Sequence, residues 1–455
     1  MAAGVVGHTA GFAGHALRLI SVAGLFAGVA GGGEGPSSAR ASSVGGPGVG
    51  PAAPASGGGA EAIAAFEPAP VLSAGDLLPA ALLTGPKHAV EPTVRGDGFL
   101  TAYTVTSEFG AWEAVDREML EIRVAEVYSL DELAEVSKTE VFARAFAKAA
   151  EKKATAVARV VKDPVGTAES VPGAVARFAK GIGRSARKAY DKVTADGEGP
   201  DDRTSGEKAG DAASAAGGAA ESILISGKRR EWAEKVGADP YTTNEPLADK
   251  LDEVGWTAYA GGFALAVAAP GVPGLGTVTT ADRLVYELPP GELEKRNVDK
   301  LKAAGVSAEA VRKLVLNDSF TATLQTELTE ALAALSGASG KTEMVALAAE
   351  ARSEGDARYI RRCVQLLAAG AKEVGGWKAL TVSPNDIEAV ATDGRLVLPW
   401  SADYMTWNEG TVPEETAPVK AAVHKEVWIS GVATERAKQQ LATRGFTVRE
   451  RRPLE

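Results

Sequence analysis

The sequence predicts a mainly α protein with a small N-terminal antiparallel β meander and a small C-terminal α/β domain, α+β overall. Three observations carry this expectation. Apolar residues recur every three or four positions through much of the second half, and period-2 alternation is confined to two short regions. The aromatic share, 6%, is too low for a large aromatic core.

The first 30 residues hold one cation, Arg18, ahead of an uncharged run over 19–30 that ends in Gly28-Val29-Ala30. A basic lead, about a dozen apolar residues and a small-residue end are the anatomy of a secretory signal peptide, so residues 1–30 read as one. Residues 31–65 are Gly, Pro, Ala and Ser with few large apolar side chains, a flexible linker in composition. Within the next expected unit, 66–193, Phe99, Thr101, Tyr103 and Val105 alternate, Trp112 and Val115 follow Phe109-Gly110, and Leu120, Ile122 and Val124 alternate again. These three runs predict the meander. Ser129-Leu130-Asp131-Glu132 reads as a capping box that opens a helix through Leu133, Val136, Phe142 and Phe146.

Residues 194–220 carry six acids and two bases among Gly, Ala and Ser, an acidic flexible linker. A helical domain is expected over 221–378. Its helices are predicted at 222–236, after the N-cap Asn244 with Pro246 in the first turn, at 291–304, at 307–317 with Ser307 as cap, at 321–335, and at 341–371 with a break near Gly355. The last unit, 379–455, changes period. Residues 389–392 and 395–399 flank Asp393-Gly394 as a hairpin, and 425–430, 434–444 and 446–451 read strand, helix, strand.

Lys and Arg number 49 against 59 Asp and Glu, a net charge of −10 that disfavours nucleic acid as a partner. A helix-turn-helix over 292–317 also conflicts with export. One cysteine, Cys363, permits no internal disulfide, and four histidines leave little for a Cys/His metal cage, so no metal residue and no cofactor is assigned, while the count leaves an oxygen-ligand Mg or Ca site open. Gly337-Ala338-Ser339-Gly340-Lys341-Thr342 lacks the glycine that a phosphate loop needs at position 335, which is leucine, and reads as a helix-helix connection. Cys363 shares helical spacing with Ile360, Leu366 and Leu367, which makes it a core thiol rather than a nucleophile. No residue is assigned a catalytic role.

Two features stand out. Residues 144–192 hold twelve Lys/Arg against four acids, a net +8, arranged as two amphipathic helices separated by Pro164 and Pro172. Lys152, Lys153, Arg159, Lys162, Arg177, Lys180, Arg184, Arg187 and Lys188 are the candidate contact residues for an anionic membrane surface or an acidic protein, since each cation near such a surface contributes about 1 kcal/mol. The competing reading is a solvated cationic face that balances the acidic linker. Residues 254–281 carry no charge; their helical part ends at Pro270, too short to span a bilayer, and Ala260-Gly261-Gly262 would allow close helix approach.

SKTEVF at 137–142, VPGAVARFAK from Val171, DPYTTN at 239–244 and AYAGGFA from Ala258 together resemble a family of uncharacterised bacterial proteins predicted to be exported, over roughly residue 77 to the C-terminus. That resemblance implies export and assigns no activity or site. The expectation is thus an exported, non-enzymatic protein of the periplasm or cell envelope, membrane-associated or partner-binding through its basic helices. The alternative is a hydrolase or carbohydrate-active enzyme using dispersed carboxylates, which leave no local mark in a sequence.

Overall fold

A computed structural model describes residues 66–162, 223–264, 280–383 and 386–454. The expected leader, the tether, the acidic linker, residues 265–279 of the uncharged stretch and the second basic helix lie outside the described residues.

Strands β1 (Val71–Ser73), β2 (His88–Val90), β3 (Thr93–Gly96), β4 (Thr101–Ser107) and β5 (Gly110–Val115) build the first sheet, interrupted by the one-turn helices α1 (Ala74–Leu77) and α2 (Ala80–Leu83). β4 is its centre: β2 and β3 pair antiparallel along one edge, β5 pairs along the other, and β1 lies outside β3. Helix α3 (Arg117–Lys138) crosses one face and buries Met119, Leu120 and Val124 against Tyr103, Val105 and Ala114. Its first turn is capped by Asp116, whose carboxylate accepts the Met119 N–H at 2.7 Å.

Helix α4 (Glu140–Lys162) follows a break at Thr139, whose hydroxyl accepts the Phe142 N–H at 3.2 Å. Helix α5 (223–236) and helix α6 (Glu245–Gly261) complete a three-helix layer in which α6 lies against both others. Glycines make this possible. A Cβ on Gly261 would overlap the Ala145 carbonyl of α4, and one on Gly255 would stand 3.1 Å from the Arg229 nitrogen of α5. Phe263, just beyond α6, stacks on Trp232 at 5.2 Å and meets Phe142 edge-on at 5.4 Å. The small residues at the end of α6 therefore serve a tight interface within the protein.

Helices α7 (Thr280–Glu287), α8 (Pro290–Ala303), α9 (Ala308–Val315), α10 (Ala322–Ala334), α11 (Lys341–Ala348) and α12 (Glu354–Gly370) follow. Ser307, Thr321 and Ser353 cap α9, α10 and α12 by accepting N–H groups three residues on. The second sheet has the order β12-β10-β8-β7-β6, built from β6 (Trp377–Val382), β7 (Ile387–Ala391), β8 (Leu396–Trp400), β10 (Lys425–Ile429) and β12 (Phe446–Arg449). β6, β7 and β8 run antiparallel; β8, β10 and β12 run parallel, the last two joined by α14 (Glu435–Thr443). Alternate residues face opposite layers: Val397 and Trp428 meet Ile360, Cys363 and Val364 of α12, whereas Leu398, Val427 and Ile429 face Phe99, Leu441 and Val419 of α13 (Ala417–Ala421). β9 (Tyr404–Met405) and β11 (Val432–Ala433) form a two-stranded parallel ribbon.

The mainly α expectation with two small β units is corrected by these sheets, two of five strands and one of two. β1, β2 and β3 are three or four residues long, too short for alternation to register. The second sheet is no appendage, because α10, α11 and α12 share one core with it. Nor is there a three-run meander. Leu120 and Val124 are four apart and both fully buried on α3, so their period is helical, and Ser129 lies inside that helix instead of starting one. The hairpin at Asp393-Gly394, the strand-helix-strand after residue 425 and the caps Asn244 and Ser307 occur where their side chains predict them. Gly340, at φ 84°, joins α10 to α11 beside β6, the helix connection anticipated for the GASGKT run.

Candidate functional site

The predicted basic segment begins on α4, which continues as one helix to Lys162. Its inner side anchors it: Phe142, Ala145 and Ala149 are buried. At about 100° per residue, positions 144, 148, 152, 159 and 162 fall within an arc of about 80°, bordered by Glu140 and Glu151; Lys153 lies off that arc. Arg144 and Lys148 are exposed, and the Arg144 side chain, 71% accessible, is held only loosely by Glu140 at 3.7 Å. The structure thus brings Lys152, Lys153, Arg159 and Lys162 onto one helix, and by helical spacing three of them, 152, 159 and 162, share an arc with Arg144 and Lys148. Arg177, Lys180, Arg184, Arg187 and Lys188 lie outside the described residues.

A second cluster was not anticipated. Arg358, Arg361 and Arg362 occupy one flank of α12 and are all buried. Arg358 takes Glu354 with two nitrogens, at 3.0 and 2.8 Å. Arg361 reaches Glu118 of α3 at 2.5 Å and Glu327 of α10 at 3.2 Å. Arg362 joins Asp116 at 2.7 Å to Asp403 at 3.2 Å, and donates to the Ser430 hydroxyl at 3.1 Å. Asp403 in turn accepts the Thr101 hydroxyl at 2.9 Å. One arginine therefore ties the first sheet, α12 and the C-terminal sheet together.

The network extends through Thr243, which bonds Glu354 at 2.6 Å and receives Arg123 at 2.9 Å. Arg123 also meets Glu126 at 2.6 Å; that carboxylate takes the Thr242 hydroxyl and the Asn244 amide. Asp239 accepts the Tyr241 N–H at 2.8 Å and the Thr323 hydroxyl at 2.7 Å. Asp239, Thr242, Thr243 and Asn244 all belong to the DPYTTN string, which accordingly supplies a polar connector between α3, α10 and α12.

Electrostatics differ across the cluster. Burial raises the Asp116 carboxyl to about 6 against the pull of Arg362, and raises Asp239 to about 6. Burial also acts upward on Glu118, but Arg361, Arg358 and Arg362 outweigh it and hold that carboxyl at about 2. Asp116 has φ 78° and ψ 163°, backbone space normally left to glycine and costing about 1–3 kcal/mol. Its N–H bond to Thr101 O at 2.7 Å, its cap bond and Arg362 together hold that conformation. The guanidinium groups are used by carboxylates of the same chain, so the arrangement is a clamp.

Cys363 is fully buried, with its thiol pushed up to about 12 by burial, in keeping with a core role. Among the described residues no three of His, Cys, Asp and Glu are placed to hold a metal ion, and no helix is long and apolar enough to cross a membrane. The arginine cluster did leave a trace in the sequence: residues 358, 361 and 362 fall at helical spacing beside the apolar set of Ile360, Cys363 and Leu367. No family model matches the chain, and no curated protein or solved structure is similar to it.

Proposed function

We propose that the chain is an exported, non-enzymatic protein of the cell envelope that binds an anionic membrane surface through the outer side of α4 and the basic sequence beyond it. The observation that supports this reading is the division of α4. Its inner side is fixed by Phe142, Ala145 and the glycine contact with α6, while Arg144 and Lys148 begin a cationic arc on the outside. A helix held rigidly on one side presents its charges without the ordering cost of a free peptide. Export rests on Arg18 and the apolar run over 19–30. The competing hydrolase reading would draw on carboxyls raised by burial; two of these, Asp116 and Asp239, are engaged in capping, turn and clamp contacts and are not available to it.

Flotation with liposomes tests the proposal. The protein floats with vesicles containing anionic phosphatidylserine and stays behind with neutral ones. Neutralising Lys148, Lys152, Arg159 and Lys162 to glutamine weakens partitioning by roughly a thousand-fold, at about 1 kcal/mol per cation. Equal failure to float with both vesicle types removes the membrane reading.

A further inference from the structure

On the face of the C-terminal sheet covered by residues 412–421, three carboxyl groups gather. Asp386 and Glu388 are two residues apart at the start of β7 and so share a face. Asp386 accepts the Trp400 indole N–H at 2.9 Å with one oxygen and the backbone N–H of Glu414 at 3.1 Å with the other. Glu388 is fully buried at 0% exposure, and neither of its oxygens has a hydrogen bond. The Thr416 hydroxyl, whose oxygen also caps α13 by accepting the Val419 N–H at 3.3 Å, favours the charged form of Glu388 but does not outweigh burial. Glu414 bears on both acids as a like charge.

The other titratable neighbours do not compensate. From α12, Tyr359 and Cys363 face Asp386, and Asp97 acts on Tyr359 from the turn before β4. Arg362 acts on Cys363 and is committed to Asp116 and Asp403. The groups that bear on Asp386 and Glu388 include no cation. Burial away from any cation disfavours the charged form of a carboxylate, and this moves Glu388 upward from its ordinary value.

We propose that Asp386 and Glu388 form a proton latch: in their neutral forms segment 412–421 stays closed on the sheet, and their ionisation releases it. Release would uncover the apolar layer of Leu398, Val427 and Ile429 that Val419 covers. Burial raises Asp386 from 3.8 to about 7 and raises Glu388 in the same direction. The open segment therefore binds fewer protons than the closed one. Closure is strongest below the ordinary carboxylate range and is lost as pH rises through neutrality.

Hydrogen exchange of the full chain, corrected for intrinsic rates, reads the latch directly. Between about pH 5 and about pH 8, protection of the amides in 412–421 falls roughly a hundred-fold, more steeply than that of α10. The double variant Glu388→Gln, Asp386→Asn carries no ionisable pair there and loses this pH dependence. A flat wild-type profile, a fall shared equally by α10, or a variant that folds and keeps the dependence overturns the proposal. Should the variant fail to fold, the wild-type profile decides by itself.

Discussion

Arg362→Met is the sharpest test of the clamp. The side chains of Arg362 and Asp116 are 4% and 3% exposed, so solvent screens neither. Methionine keeps the hydrocarbon volume but removes the pairs at 2.7 and 3.2 Å and the donation to Ser430. Asp403 retains Thr101, and Asp116 retains the Met119 N–H, yet both lose their cation. Breaking a buried pair from one side costs about 3–5 kcal/mol, a large part of a typical domain's stability. The loss is pH-dependent with a definite sign. Asp116 already has its carboxyl raised to about 6, and without Arg362 it rises further. A folded-state value above the unfolded one means stability is kept at low pH and lost as pH climbs. The full deficit therefore appears near pH 8 and shrinks below about pH 6, where Asp116 takes a proton. Urea unfolding of wild type and variant, followed by tryptophan fluorescence at both pH values, measures it. A deficit under about 1 kcal/mol near pH 8, the scale of a surface pair, would show that the cluster is solvated. A deficit equal at both pH values would assign the effect to packing alone.

Further outcomes can be measured directly. Gly261→Val drives a side chain into the Ala145 carbonyl, so α4 must lift from α6; stability falls by about 1–3 kcal/mol in the same urea assay, and an unchanged midpoint would refute the packing. Cys363, fully buried with its thiol pushed up to about 12, reacts with a thiol reagent such as dithionitrobenzoate only on unfolding, and rapid stoichiometric labelling of the native protein would contradict its core placement.

Residues whose conformation is decided within a few positions were legible. A serine or asparagine that can accept an N–H three residues on marks a helix start wherever the chain folds, which is why Ser307 and Asn244 were readable. Asp393-Gly394 likewise marks its own turn, with Gly394 at φ 90°. The cationic character of α4 is equally local, since its spacing needs only a helix. Less was visible where alternation and helical spacing overlap: Leu120, Ile122 and Val124 satisfy a strand template, and only packing of Leu120 and Val124 against the first sheet shows the helix.

What the amino-acid order determined by itself, then, was the local grammar of caps, turns and charged faces, because those rest on interactions between near neighbours. Tertiary structure alone decided the rest. Arg362 meets Asp116 and Asp403 across 246 and 41 positions, and Glu388 meets residues 414 and 416, pairings that no spacing rule encodes. Whether an arginine or glutamate on an amphipathic element is solvated or buried depends on what packs above it, and the cost of burial sets its charge. The same physics divides α4: its sequence made it amphipathic, but Gly261 and Phe263 chose which side remains outside.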